Sequence, residues 1–122
     1  MRCLFCHCRD PIIAENELAF AIHDSFPVTP LHALILPRRH APTYFDLDDR
    51  ERRAIDVLLD QVREQVLRAD QAVEGFNIGI NCGQTAGQTI MHCHVHLIPR
   101  RRGDVEQPRG GVRAVIPGKQ TY

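Results

Sequence analysis

The sequence predicts an α+β protein, with a mainly antiparallel sheet of about five strands, one long helix and an extended C-terminal tail. Three observations carry this reading. Short apolar or alternating runs lie on both sides of a single long amphipathic stretch. That stretch keeps helical spacing from Ile55 to Val73. The end of the chain is punctuated by Gly103, Pro108, Gly110, Gly111, Pro117 and Gly118, which suits loops and extended backbone. A length of 122 residues, without repeats or a dividing linker, favours one domain over 1–122. Within it, 1–104 form the core and 105–122 a basic tail.

The elements follow in order. Leu18–Ile22 reads as a strand, ended by Pro27 and Pro30, which fix φ and remove ladder donors. His32–Leu36 is a near-continuous apolar run stopped by Pro37, as in a buried strand. Asp48 and Glu51 resemble a capping box with Asp as the N-cap. Ile55, Leu58, Leu59, Val62, Val66, Ala69 and Val73 then form the apolar stripe of a helix of roughly 25 residues, with Gly75 as its natural C′ residue. Phe76–Asn81 alternates as a strand, Gly83 and Gly87 mark a loop, and Ile90–Ile98 alternates again.

Composition narrows the function. With 43% hydrophobic and 25% charged residues, the chain is neither disordered nor fibrous. No apolar run approaches the roughly 18–20 residues of a membrane span, so no membrane partner is expected. Met1–Cys8 has no apolar signal-peptide core, which points to the cytoplasm. A formal net charge of zero argues against a nucleic-acid coat. The last 26 residues are nevertheless cationic, with six basic against two acidic side chains.

Two patterns carry chemistry. Five cysteines is an odd count, and Cys3, Cys6 and Cys8 lie too close together for a disulfide framework. In a reducing compartment the Cys3-x-x-Cys6 pair suggests metal or redox chemistry. Its place before a loop favours zinc over a thioredoxin-like motif, with a buried, metal-free cluster as the alternative. The second pattern is His92-Cys93-His94-Val95-His96. On a strand these three histidines would share one face with roots about 6.6 Å apart, Cys93, Val95 and Leu97 packing behind. Sheet packing does not call for imidazole three times. Two of them could bind a metal, or one could act as a nucleophile, since imidazole is largely neutral at pH 7 without a separate base.

His92-Cys93-His94-Val95-His96-Leu97-Ile98 resembles the alternating signature of the histidine triad (HIT) superfamily, with Cys93 in a hydrophobic slot. Gly87-Gln88-Thr89 before it and Pro99-Arg100 after it extend the resemblance. So do Cys3-Leu4-Phe5-Cys6, Asp24 ahead of Pro27–His32, Pro37-Arg38-Arg39-His40, and Gly75–Asn81. Together they span roughly residues 3–104.

The resemblance implies a HIT-like fold and a homodimer. It makes His94 the nucleophile that attacks the α-phosphorus of a nucleotide, with His96 donating to the phosphate or leaving group and His32 lining the phosphate pocket. Gln88, Thr89 and Asn81 would contact the phosphates, and Gln88 would share in catalysis. Asp24 would accept the ribose hydroxyls, and Phe20, Ile22 and Phe26 could enclose the base. Cys3, Cys6, His40 and His92 would form a structural zinc site, with His7 and Cys8 as competing ligands.

For substrate, the run Ile98–Asp104 resembles the Fhit-like dinucleoside polyphosphate hydrolases, and the absence of tryptophan sets the chain apart from the phosphoramidase branch. An adenine dinucleoside polyphosphate is therefore expected, with magnesium at most as a companion of the substrate and no organic cofactor. An adenosine phosphoramidase is the alternative activity. A nucleotide-binding, zinc-stabilised interaction module without turnover is the alternative class. Arg109 or Arg113 in the tail is expected to reach the distal phosphates or the second nucleoside of a long substrate, with a solvated basic extension as the alternative.

Overall fold

A computed structural model describes residues 3–122; Met1 and Arg2, at the start of the expected domain span, lie outside the described residues. The strands are β1 (Ala14–Glu15), β2 (Ala19–His23), β3 (Ala33–Pro37), β4 (Val73–Ile80) and β5 (Val95–Arg101). One helix, α1 (Asp49–Ala69), lies between β3 and β4. All neighbours pair antiparallel in one sheet of order β1-β2-β3-β5-β4, so the last strand of the chain sits inside the sheet.

Strand alternation divides the side chains between two faces. Ala19, Ala21, Ala33, Ile35, Val95 and Leu97 meet Ile55, Leu58, Val62 and Val66 of α1 in the main core. The alanines leave room for the helix to approach. Phe20, Ile22, Leu34 and Leu36 form a second cluster on the opposite face, joined by Phe5 and Cys8. His96 stands on that same face, because it pairs with Leu34 on one side and Gly79 on the other.

The helix starts as the sequence indicates and stops early. The Asp48 carboxylate accepts from the Glu51 N–H at 2.8 Å and Glu51 accepts from the Asp48 N–H at 3.1 Å. Glu51 is buried and also takes a two-pronged contact from Arg39, at 2.7 and 3.0 Å. Asp48→Ala is expected to cost about 1 kcal/mol, as a lost N-cap does. Glu51→Ala should cost more, because it removes the reciprocal cap and the Arg39 contact together. The order of the two urea midpoints checks this.

At the other end, Asp70 leaves helical geometry at φ −146° and ψ 104°. Its carboxylate accepts from the Ala72 N–H at 2.9 Å and from Arg101 at 2.8 Å, so a local turn replaces another turn of helix. Val73 and Gly75, expected to close the helix, instead belong to β4, with an irregular register between them. An apolar residue seven positions after Val66 satisfies a helical stripe and a strand equally well.

The expected strand over Ile90–Ile98 begins only at Val95. Before it, the Cys93 N–H donates to Ala41 rather than to a ladder partner, and the Pro37 carbonyl accepts from the His92 ring. The tail closes on itself around the 3-10 turn Gly111–Val115. Gly110 has φ +91°, and a Cβ there would stand 1.7 Å from the Gln120 carbonyl oxygen, so only glycine allows this closure.

Candidate functional site

The N-terminal turn meets the end of β3 and the segment before β5. Cys3 Sγ lies 3.4 Å from His92 Nδ1, and Cys6 Sγ lies 3.3 Å from His40 Nδ1 and 3.5 Å from His92 Nδ1. The four ligand atoms all fall within 4.8 Å of one another. A carbonyl can only accept, so the 2.8 Å contact from His92 Nε2 to the Pro37 oxygen places the ring proton on Nε2. Nδ1 therefore keeps its lone pair beside the two sulfurs. Burial lowers the His92 pKa, which favours the neutral ligand form. Two thiols, two imidazoles and a backbone partner that orients one ring fit a tetrahedral, thiophilic cation such as zinc. The Cys8 thiol instead donates to Asp10 at 3.6 Å, and neither Cys8 nor His7 joins the group.

The same rule assigns the other rings. His94 Nδ1 lies 2.8 Å from the His92 carbonyl oxygen, so in the neutral ring Nδ1 carries the proton and Nε2 the lone pair. His32 Nδ1 accepts from the Val28 N–H at 3.1 Å, which leaves its proton on Nε2. That proton is donated to His96 Nδ1 at 2.9 Å, and His96 in turn carries its own on Nε2. His94 is thus set up as a nucleophile and His96 as a donor. Asp24 lies 3.4 Å from His32 Nε2 and 3.9 Å from His96 Nδ1. Asp24, His32 and His96 also cluster tightly enough for a cation. With both His32 nitrogens engaged, His32 and His96 form a hydrogen-bonded pair beside the Asp24 carboxylate rather than a metal site.

Burial is the main cause that lowers both His96, to about 4, and His32, with Asp24 opposing in each case. For His96 the neighbouring His94 and His32 add to the lowering. A histidine whose pKa falls on folding leaves stability untouched above the unfolded pKa of 6.5 and reduces it below that, down to the folded value. His96 alone should remove about 2–3 kcal/mol between pH 6.5 and 4. Urea unfolding at pH 7.5 and 4.5 tests this. The pH dependence should be shallower in His96→Asn, and equal slopes in the two proteins would refute the assignment.

His94, with 9% of its surface exposed, lies against one wall residue of each of two clefts. Its ring centroid is 5.0 Å from Phe5, which walls a cleft of about 330 Å³ with Ile22, Asp24, Phe26 and Leu34. It is 5.2 Å from His96, which walls a second cleft of about 580 Å³ with Val28, Asn81, Ile98, Val112 and Val115. Cys93, behind the triad, has its pKa pushed up to about 12 by burial, so it is an inert thiol and not a rival nucleophile.

Several expected residues stand elsewhere. Gln88 is buried with its amide fully engaged: Oε1 accepts from the Gly83 N–H and Nε2 donates to the Pro42 and Ile90 carbonyls. It braces the loop before His92 instead of reaching for a ligand. Thr89 beside it is exposed. Phe20 belongs to the second core cluster, while Ile22 and Phe26 do line a cleft.

The basic run is largely neutralised. Arg100 grips Asp104 at 2.8 and 2.9 Å, Arg101 pairs with Asp70 at 2.8 Å, and Arg102 pairs with Glu74 at 3.1 Å. Arg109 and Arg113 stack on the Tyr122 ring at 4.7 and 4.9 Å. The tail therefore turns Val112 and Val115 toward the second cleft, not its arginines. Phe5, which walls the smaller cleft, is marked in the sequence only as an aromatic inside Cys3-x-x-Cys6.

A five-stranded antiparallel sheet with one helix and closely grouped histidines matches HIT-family structures. The HIT domain family model matches residues 8–103, and the chain belongs to that family. It is 36% identical over 96 residues to a bis(5'-adenosyl)-triphosphatase of Dictyostelium discoideum, across 78% of this chain and 63% of that one. It is 32% identical over 94 residues to an AP-4-A phosphorylase of Mycobacterium tuberculosis, across 76% and 48%. The chain thus spans less than two thirds of the length of either enzyme. Among solved structures, a Zn-bound histidine triad family protein from Mycobacterium smegmatis matches with a TM-score of 0.78 and 30% identity, covering 88% of this chain and 81% of that one.

Proposed function

We propose that this protein is a nucleotidyl hydrolase or transferase that cleaves adenine dinucleoside polyphosphates through a covalent nucleotidyl intermediate on His94. The observation that carries the reading is the His94 ring, held as the Nδ1–H tautomer against Phe5 of one cleft and His96 of the other. The nucleoside occupies the cleft of Phe5, Ile22 and Phe26, with its ribose hydroxyls donating to Asp24. Nε2 of His94 attacks the α-phosphorus, a bond from nitrogen to phosphorus forms, and the bond from phosphorus to the leaving-group oxygen breaks. The positive charge that develops on the ring is shared with the His92 carbonyl through Nδ1–H. His96 Nε2–H, backed by His32, donates to the departing or equatorial oxygens as they gain charge. The oxygen of water or inorganic phosphate then bonds to the phosphorus, the bond from phosphorus to Nε2 breaks with its electron pair returning to His94, and the acceptor's proton passes to solvent. Gln88 supports the reaction only through the shape of its loop.

Cys3, Cys6, His40 and His92 would hold zinc, which would supply structural fastening of the N-terminal turn. The similarity to the mycobacterial AP-4-A phosphorylase favours phosphate as an alternative acceptor. Diadenosine triphosphate, diadenosine tetraphosphate and adenosine phosphoramidate, each assayed with and without inorganic phosphate, test the reading. Cleavage of the dinucleotides is the expected result. Phosphate-dependent release of ADP would mark a phosphorylase, preferential phosphoramidate cleavage a phosphoramidase, and binding without turnover an interaction module. We also propose that two copies pair along the outer edge of β4, where Ile78 is 53% exposed. Sedimentation at micromolar concentration should show twice the 13.9 kDa chain mass.

A further inference from the structure

The nucleoside cleft and the metal cluster share one short segment. Leu4, Phe5, His7 and Cys8 wall the cleft, and Cys3 and Cys6, two of the four metal-ligating residues, belong to the same turn. Phe5 lies between those cysteines in sequence and between two histidines in space. Its ring centroid is 6.0 Å from His92, a ligand, at 81°, and 5.0 Å from His94, the nucleophile, at 61°. Its other neighbours are the apolar cluster of Phe20, Ile22, Leu34 and Leu36, of which Ile22 and Leu34 line the cleft.

Little else ties this turn down. Among the described residues, the polar contacts of Cys3–Cys8 beyond the turn and the adjoining Asp10 are the thiol contacts to His40 and His92. The remaining bonds, Cys6 N–H to Cys3 Sγ and Cys8 N–H to the Phe5 carbonyl, are internal to it. A metal at the four ligands would convert weak thiol contacts into bonds and fix the turn against the sheet. A nucleoside in the cleft would fix the same turn from its other side, through Phe5. Two ligands that order one element each reduce the ordering cost met by the other.

We infer that the metal site and the nucleoside cleft are one thermodynamic unit, coupled through Phe5. Metal binding raises nucleotide affinity, and nucleotide raises metal affinity by the same factor, as linkage requires. Phe5 is then a positioning residue for His94 as well as a wall of the cleft. This rests on the nucleotide reading given above and extends it. The expected factor is about tenfold, within the usual range for coupled sites.

Titration calorimetry of AMP into zinc-loaded and zinc-stripped protein gives one arm. Zinc affinity by competition with a chelator, with and without saturating AMP, gives the other and does not depend on catalysis. Both arms should show the same factor. Phe5→Ala, still holding one zinc by elemental analysis, should bind AMP about tenfold more weakly and lose the coupling, and Phe5→Leu should restore part of it. Equal AMP affinity with and without zinc in wild type, or an unchanged factor in Phe5→Ala, overturns the inference while leaving nucleotide binding intact. Failure of the zinc-loaded wild type to bind AMP overturns the nucleotide reading itself. Circular dichroism of the stripped form should match the loaded form, since the main core includes none of residues 3–8; a stripped form that unfolds would show the metal acting on the whole fold and would overturn coupling through Phe5.

Discussion

His94→Ala is expected to lower turnover of a dinucleoside polyphosphate by about 10⁴-fold or more while AMP affinity changes by less than about tenfold. The two effects separate because of where the ring sits. In the proposed reading the nucleoside is gripped by Phe5, Ile22, Phe26 and Asp24, which line a cleft that the His94 side chain does not line. The reaction needs one atom, Nε2, whose lone pair is guaranteed by the Nδ1–H contact to the His92 carbonyl. His96 cannot substitute, since its hydrogen bond with His32 leaves a proton on Nε2. Substrate quenched during turnover should leave phosphorus on His94 and none on His92, whose Nε2 is tied to Pro37. Near-normal activity in His94→Ala would exclude the covalent route.

The double replacement Cys3→Ser with Cys6→Ser is expected to reduce bound zinc from about one per chain to a trace. Both anionic sulfur ligands would be replaced by hydroxyls that do not ionise near neutral pH, leaving only His40 and His92. The consequence for stability should be local. The main core of β2, β3, β5 and α1 includes none of residues 3–8, so the cooperative unfolding transition should survive. Loss of the fastening should appear instead as faster hydrogen exchange and proteolysis around the N-terminal turn. Elemental analysis of protein purified without a metal-affinity tag decides the assignment. Zinc retained in full by the double variant would show that other residues hold it.

The parts legible in the sequence are those fixed by short-range pattern. Asp48 and Glu51 announce their capping box three residues apart, and the apolar stripe from Ile55 to Val66 announces α1. Cys3, Cys6, His40 and His92 were expected together through family resemblance, and they meet in space. What was hidden depends on partners remote in sequence. Nothing local to Arg101 or Arg102 reveals that Asp70 and Glu74 neutralise them. Nor does Gln88 show that its amide is used by Gly83, Pro42 and Ile90 rather than by a ligand. The end of α1 at Ala69 is not legible, because Val73 fits both a helical stripe and a strand. The late start of β5 follows from Pro37, whose carbonyl takes a side-chain donor where a ladder bond was expected.

The sheet order β1-β2-β3-β5-β4 also constrains how the molecule comes into being. During synthesis the hairpin of β2 and β3, then α1 and β4, emerge before β5 exists. Until residues 95–101 arrive, β3 and β4 each hold an open edge toward a gap that only β5 can fill. Such edges are sites of intermolecular pairing, and a closure that joins distant segments is intrinsically slow. A nascent or truncated chain lacking this strand is therefore the form most exposed to aggregation and most in need of chaperone cover. Because His94 and His96 arrive with β5, the histidine cluster and the sheet are completed in the same step of folding.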